Sequence, residues 1–373
     1  MMGRPAAFAC LASLLVSVVC SYPVLGEVWS TRTLSDSRKG RVATVANGFV
    51  LFAGGELNYL PSKVVEIWES NGSGWDSGSL SQARHSLAAA GTAGQVLFAG
   101  GYWGGLITSG EDFSKTVDIF DTITGKWTTS SLSVPRFYLA GAGVGNKALF
   151  AGGSSISGLS AVVDIYDVST NSWGEATLSQ ARCLLAGVSS GSRVFFAGGY
   201  RYSNGVSDVV DICDVNTNAW SSAHLSVPRY SLGAAGWGDK VLFGGGFGPS
   251  GESNVVDIFE RTTATWSATY LPHAGGATSA AAAEGRIFFA GGADPNWVDV
   301  FDTPTGTWCS LTLPHPRSGV ALAAWDNQVF FAGGFDASGA PSDVVDIYTL
   351  PEPASTILLL FGTFLALRGR KRR

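Results

Sequence analysis

Six arginines occupy the same position in a repeated block of the sequence. Each stands four residues after a leucine, and that leucine ends a short segment that begins with tryptophan, which we call the Trp-led segment. The six arginines are Arg38, Arg84, Arg136, Arg182, Arg229 and Arg317. In a seventh block Gly275 stands at that position. Guanidinium groups bind carboxylate and sulfate through charge-assisted hydrogen bonds, so a ring of six arginines predicts a site for an acidic ligand. The same spacing is expected of an arginine that bonds backbone between repeats, and the sequence leaves both interpretations open.

Aromatic side chains gather in the segments that follow a repeated pair of glycines. The strongest candidates for ligand binding are Tyr102, Trp103, Tyr200 and Tyr202. The same or equivalent segments add Tyr59, Arg201, Phe247, Trp297 and Phe335. Exposed rings suit stacking on sugar rings, whereas rings that pack over the edges of neighbouring repeats would be structural.

The glycine pairs belong to seven copies of one block, in which a phenylalanine stands two residues before the pair. The copies begin at Phe52, Phe98, Phe150, Phe196, Phe243, Phe289 and Phe331. Each follows an apolar segment and precedes one that alternates with period two, such as residues 163–167, and a Trp-led segment comes next in six of them. The pattern predicts an all-β fold, a seven-bladed β-propeller with four antiparallel strands per blade, over residues 27–350.

Two spacings are constant along the array. Each Trp-led segment, from Trp29 onward, begins 25 residues before the first glycine of the next pair. The acid of the third strand, such as Asp118 or Asp164, precedes the next tryptophan by nine residues. The last repeat lacks a Trp-led strand and the N-terminus has a spare one, so we expect the N-terminal strand to complete the seventh blade and close the ring.

The blocks resemble the Kelch repeat, which has Gly-Gly after its second strand, an aromatic residue in the third and a tryptophan in the fourth. The resemblance covers residues 27–350, although Cys213 replaces the third-strand aromatic in blade four. Arginines at similar positions bind acidic peptides in some Kelch proteins. Galactose oxidases and sialic acid epimerases are enzymes built on Kelch propellers, so the resemblance also implies a sugar-modifying alternative.

Length variation identifies the face that we expect to bind. The separation from the first glycine to the third-strand acid takes values from 8 to 18 residues, so insertions fall between the second and third strands. These connections share one face with the entrances of the first strands, where the arginines stand. Variable loops of a propeller are typical of its binding face.

Catalytic signals are weak. His273 and His315 occupy equivalent sites in neighbouring blades, with His85 on the same face, but a metal needs three or four converging ligands. No Ser/His/Asp triad spacing, phosphate-binding loop or metal motif occurs, so we predict no catalytic residue, no metal and no cofactor. The net charge of −5 gives no indication of nucleic-acid binding.

Residues 1–26 have the pattern of a secretory signal peptide, with Arg4 before an apolar stretch. Export to an oxidising compartment raises the question of disulfides. Cys183 and Cys213 fall in the first and third strands of one blade, about 9.6 Å apart, which exceeds the reach of a disulfide. We expect both to be free thiols.

The C-terminal residues 351–373 contain Pro351-Glu352-Pro353, an apolar run and an arginine-rich end. The 11 apolar positions span about 17 Å as a helix, short of a bilayer core of about 30 Å. The segment closely resembles the PEP-CTERM sorting signal of Gram-negative bacteria. That resemblance implies exosortase as a partner, transient membrane insertion through the tail, and a location at the cell surface, in the outer envelope or in the extracellular matrix.

Two functions remain open from the sequence. The first is a non-catalytic surface or matrix protein that binds acidic polysaccharide or an envelope protein through the arginine-bearing face. The second is a sugar-modifying enzyme of the galactose oxidase or epimerase kind. A binding module leaves a glycan unchanged, whereas an enzyme yields peroxide or a new isomer.

Overall fold

The computed structural model describes residues 28–71, 74–104, 112–276, 278–292 and 294–351. These residues form a seven-bladed β-propeller in which each blade is a sheet of four antiparallel strands. Within a blade the strands follow one another from the central channel outward. The predicted fold class is therefore confirmed, whereas the predicted signal peptide and the part of the predicted sorting signal beyond Pro351 lie outside the described residues.

The four strands of a blade occupy corresponding positions in every repeat. The inner strands are Val42–Ala46, Ala88–Gly91, Ala140–Val144, Ala186–Ser190, Gly233–Trp237, Ser279–Ala283 and Ala321–Trp325. The second strands are Phe49–Ala53, Gln95–Ala99, Lys147–Ala151, Arg193–Ala197, Lys240–Gly244, Arg286–Ala290 and Gln328–Ala332. The third strands are Val64–Glu69, Thr116–Asp121, Val162–Asp167, Val209–Asp214, Gly251–Glu260, Trp297–Asp302 and Val344–Thr349. The outer strands are Gly74–Ser79, Trp127–Ser131, Ser172–Thr177, Ala219–His224, Thr265–Gly275, Thr307–Thr312 and, for the seventh blade, Val28–Thr33.

Short elements occupy some connections between second and third strands. Two small hairpins pair Glu56–Leu57 with Leu60–Pro61 and Ser154–Ser155 with Gly158–Leu159. In the fifth blade Phe247–Gly248 pairs with the extended third strand. A 3₁₀ turn covers Tyr202–Asn204 in the fourth.

The apolar core lies between the blades. Second strands such as Lys147–Ala151 are buried on both faces after their first residue, because each sheet is covered by a neighbour on either side. Each of seven apolar clusters joins two adjacent blades, and one cluster brings Phe52 of the first blade together with Phe330 of the seventh. Burial of these side chains on both sheet faces supplies the main driving force for the ring.

The N-terminal strand Val28–Thr33 pairs with the third strand of the seventh blade over six residues. The Trp29 ring lies 5.0 Å from the Tyr348 ring, between centroids. Thr31 Oγ1 donates a hydrogen bond of 3.0 Å to Asp346, and the Leu34 amide donates one of 2.7 Å to the Asp343 carbonyl. The seventh blade thus takes its outer strand from the opposite end of the chain.

The central channel is lined by backbone and small side chains of the inner strands. Its two ends enclose cavities of about 280 and 300 Å³. A β-carbon added at Gly143 would lie 1.8 Å from the Gly91 carbonyl oxygen, so neighbouring inner strands are too close there for any side chain. This channel offers few side chains to a ligand, which leaves the two faces and the outer wall for recognition.

The two cysteines of the fourth blade are free and buried, as the strand assignment predicts. Cys213 pairs with Val194 of the second strand, so a full strand separates it from the strand that Cys183 precedes. Burial raises the pKa of the Cys183 thiol to about 11 and also raises that of Cys213. Both act as small apolar core residues.

Candidate functional site

All six repeated arginines lie beneath the variable-loop face, not on it. Their side chains are fully buried, with at most 1% of each residue exposed. Arg136 shows the arrangement, because its Nη1 donates to the carbonyls of Gly152 (2.8 Å) and Val162 (2.7 Å) and its Nη2 pairs with the Asp164 carboxylate. The prediction of an arginine ring that binds an acidic ligand therefore needs correction, since these guanidinium groups are bonded inside the protein.

In five blades the acid of the third strand completes this arrangement, which we call the arginine tie. Asp164 accepts a second hydrogen bond, of 2.9 Å, from the amide of Ser133 in the connection that arrives from the preceding blade. Equivalent ion pairs join Arg84 to Asp118, Arg182 to Asp211, Arg229 to Asp257 and Arg317 to Asp346. Burial lowers the pKa of Arg136, and the neighbouring Asp164 charge opposes that shift. Each pair holds an incoming connection against the blade that follows it.

The first blade replaces this tie with a larger network. Glu66 stands in place of the aspartate and accepts hydrogen bonds from Ser35, whereas Arg38 pairs with Asp36. Arg41, which the sequence did not single out, donates to the carbonyls of Arg38 (2.8 Å) and Ser342 (3.2 Å). Burial and the adjacent Arg38 charge lower the pKa of Arg41 to about 10. Because Ser342 belongs to the seventh blade, Arg41 joins the first and last blades.

The sixth blade has Gly275 in place of the repeated arginine, and a histidine bonds its third-strand acid. His273 Nδ1 lies 2.7 Å from Asp299, and its ring stacks on Trp297 with centroids 4.3 Å apart. Ser310 Oγ also donates to Asp299, at 2.8 Å. In a serine nucleophile relay the histidine lies between serine and aspartate, whereas here the carboxylate lies between the other two. This cluster therefore does not have the geometry of a serine nucleophile relay.

His315 bonds Asp346 through Nδ1 at 2.8 Å, in the same way as His273 bonds Asp299. Each histidine is oriented by a carboxylate of the blade that it enters. In the parts of the chain that the structure describes, no group of three His, Cys, Asp or Glu residues could hold a metal ion.

The four candidate aromatic residues divide into two kinds. Tyr102 is buried and packs against Phe113 and Phe137 at centroid distances of 5.9 and 6.0 Å. Tyr200 is half-buried and packs on Tyr230 at 5.3 Å. Trp103 and Tyr202 are 42% and 48% exposed. Only this second pair presents large apolar surface to a ligand.

Trp103 and Tyr202 belong to a wider set of exposed apolar residues, which we name the apolar patch. Its members all lie in the variable-loop face of blades one to four, namely Leu57, Tyr59, Leu60, Trp103, Tyr138, Ile156 and Tyr202. In the described residues of blades five to seven, this face has no large apolar side chain with comparable exposure. The exposed apolar surface of this face is therefore confined to one side of the propeller axis, the side of blades one to four.

Three tyrosines of the patch have a left-handed backbone. Their φ angles are 64° at Tyr59, 53° at Tyr138 and 49° at Tyr202. A bulky residue rarely adopts this conformation, which favours glycine and asparagine. The residues equivalent to Tyr138 in other blades are Gly40, Ser86, Leu184, Ser231 and Gly319, all with positive φ, so the conformation comes from the fold.

A cavity opens beside Tyr202 on the variable-loop face. It has a volume of about 420 Å³ and is lined by Leu159, Gln180, Arg201, Tyr202, Ser203 and Asn204, among others. A larger cleft of about 520 Å³ on the opposite face, lined by Asn146 and Asp167 among others, is formed by turns of nearly constant length. The cavity beside Tyr202 unites variable loops with an exposed ring.

No family model and no curated protein matches the chain. Within the described residues, no helix has the length and apolar character needed to cross a membrane. Of the predicted sorting motif, Pro351 directly follows Leu350, whose amide bonds the Asn327 carbonyl at 2.8 Å, whereas Glu352 and Pro353 lie outside the described residues.

Proposed function

We propose that this chain is an exported Kelch-type propeller that acts as a non-catalytic binding module at the bacterial surface, with the apolar patch as its contact surface. The β-propeller fold is generally an interaction scaffold, and the variable loops and exposed rings lie on one face. The observation that carries the proposal is the exposure of the Tyr59, Tyr138 and Tyr202 rings on this face in spite of their left-handed backbone.

A left-handed backbone costs a tyrosine about 1–3 kcal/mol relative to an unstrained residue. A structural role would compensate for this cost by burying the ring. Instead the exposed fractions are 62% at Tyr59, 39% at Tyr138 and 48% at Tyr202. Strain retained at exposed aromatic positions is explained when the rings contact a partner, since aromatic side chains supply most of the affinity in many interfaces.

The buried arginines change the electrostatic part of the proposal. Their pairing with aspartates removes the reason to expect a broad basic ring at the channel mouth. Recognition therefore rests on aromatic and polar contacts, with polysaccharide or an envelope protein as the partner. The described residues give no specific support to the sugar-modifying alternative.

The surface location rests on the two ends of the sequence. Residues 1–26 supply the signal peptide, and residues 351–373 supply the resemblance to the PEP-CTERM signal that exosortase recognises. If this signal is processed, mass spectrometry of the surface-exposed protein will find a C-terminus near Pro351-Glu352-Pro353. Recovery of the mature protein with Arg373 still attached would contradict processing and indicate a plain anchor.

The contact surface is tested by replacing Tyr59, Tyr138 and Tyr202 together with asparagine. Asparagine tolerates the left-handed backbone, so we expect the melting temperature to stay the same or rise. We expect binding of the purified fluorescent protein to cells of the producing strain that lack it to fall at least about tenfold. Tyr270→Asn is the control, because Tyr270 is 63% exposed on an outer strand away from the patch.

Wild-type binding by the triple variant would show that the patch is not the contact surface. A lower melting temperature in the triple variant would show that the tyrosines are held for stability, and would contradict the interpretation of their strain.

A further inference from the structure

The cavity beside Tyr202 combines an exposed aromatic ring with polar side chains. Its volume of about 420 Å³ falls in the range of small-molecule sites, about 300–1,000 Å³. It lies between the third-blade hairpin that contains Leu159 and the fourth-blade loop from Arg201 to Asn204. Ser179 and Gln180 of the connection between these blades complete the lining.

Tyr202 is fixed in place although its ring is exposed. Its hydroxyl shares a hydrogen bond of 2.7 Å with Ser154 Oγ of the third blade, and its ring meets Tyr200 edge-on at 5.9 Å. These contacts hold the ring between two blades and leave 48% of the residue accessible. A fixed, accessible ring is suited to stacking because little side-chain freedom is lost on binding.

Arg201 is the only charged residue in the cavity lining. It is half-buried and forms no ion pair with any residue that the structure describes, unlike the six repeated arginines. The charge of Arg201 acts on the neighbouring Arg182. Burial is the main cause that lowers the pKa of Arg182, and repulsion from Arg201 lowers it further. An unpaired guanidinium in a cavity without acids favours an anionic group.

The neighbouring amides supply further hydrogen-bonding groups. Gln180 Oε1 accepts a hydrogen bond of 3.1 Å from Ser207 Oγ, and the amide nitrogen of Gln180 carries two further donors. Asn204 adds a second amide to the lining. Hydroxyl-rich ligands need such donors and acceptors beside the ring.

We propose that this cavity binds a uronic acid unit of a polysaccharide, with the sugar ring on Tyr202, its carboxylate on Arg201 and its hydroxyls on Gln180 and Asn204. This inference rests on the proposed binding function and adds the ligand class to it. A sugar supplies the apolar ring face and the hydroxyls, and only its acidic form supplies a partner for the unpaired guanidinium.

The test is calorimetric titration of the full chain with polygalacturonate oligosaccharides and with the same oligosaccharides after reduction of their carboxyl groups. We expect the reduced oligosaccharides to bind at least about tenfold more weakly. Arg201→Gln should weaken uronate binding about 10- to 100-fold. Arg193→Gln removes the same charge from a side chain that is 37% exposed in a second strand, outside this cavity, and should leave binding unchanged.

Equal affinity for the two oligosaccharides, or equal loss in Arg201→Gln and Arg193→Gln, would overturn the assignment. So would an absence of uronate binding. Each of these outcomes leaves the cell-binding result for the three tyrosines intact, so failure of this site is distinguishable from failure of the proposed function.

Discussion

A chain that lacks residues 28–38 is expected to aggregate or to melt far below the intact protein. The deletion removes the outer strand of the seventh blade. It also removes the Trp29 and Leu34 side chains, which pack on the two sides of that blade, and the buried contacts of Arg38. It also exposes the edge of Val344–Thr349, and an unpaired edge promotes association between chains. We expect a loss comparable with the whole stability of a domain, about 5–15 kcal/mol.

Thermal melting and light scattering measure this effect. Arg32→Ala is the control within the same strand, because among the described residues its side chain bonds only the exposed carbonyl of Thr31, at 3.4 Å. A deleted protein that stays monomeric and melts with the intact one would contradict the role of the N-terminal strand.

Arg136→Ala is expected to lower the free energy of unfolding by about 3–5 kcal/mol. The change leaves the Asp164 carboxylate buried without its cation. It also removes the hydrogen-bond donor of the Gly152 and Val162 carbonyls. Arg286→Ala is the matched control, since Arg286 is 3.9 Å from Asp302 near the surface and should change stability by less than about 1 kcal/mol.

Urea denaturation gives both values. Because the pair acts as a unit, Arg136→Ala with Asp164→Ala should cost less than the sum of the single changes. Equal stability of Arg136→Ala and Arg286→Ala would show that the buried pair is not a tie.

The fold could be predicted because the repeat fixes it locally. Constant spacings from each tryptophan to the next glycine pair allow one arrangement of four strands, and the offset of Trp29 from Arg38 repeats that of Trp127 from Arg136. The free Cys183 and Cys213 follow from the same strand assignment and are confirmed.

The role of the arginines could not be decided from spacing. Arginines that bind a ligand and arginines that hold the blades together would recur at the same interval. A usable signal was present in the third strands. Asp118 and Asp164 fall at positions that alternation places inside, and a buried acid needs a cationic partner. The repeated arginines were the cations available at a matching position in six of the seven blades.

Other features depend on contacts between distant parts of the chain. Arg41 reaches Ser342 across the junction of the first and last blades, which no local pattern indicates. Gly275 marks the missing arginine of the sixth blade in the sequence, but the pairing of His273 with Asp299 joins residues 26 positions apart and could not be predicted from it. The left-handed φ angles of Tyr138 and Tyr202 likewise come from the fold around them.

The central claim is that the arginines hold the blades together while the apolar patch binds. The most direct measurement is a thermal melt of Arg136→Ala/Arg182→Ala, followed by cell binding of the same variant below its melting temperature. We predict a much lower melting temperature, and binding close to wild type wherever the variant is folded. A variant that melts like the wild type and loses binding would contradict the account.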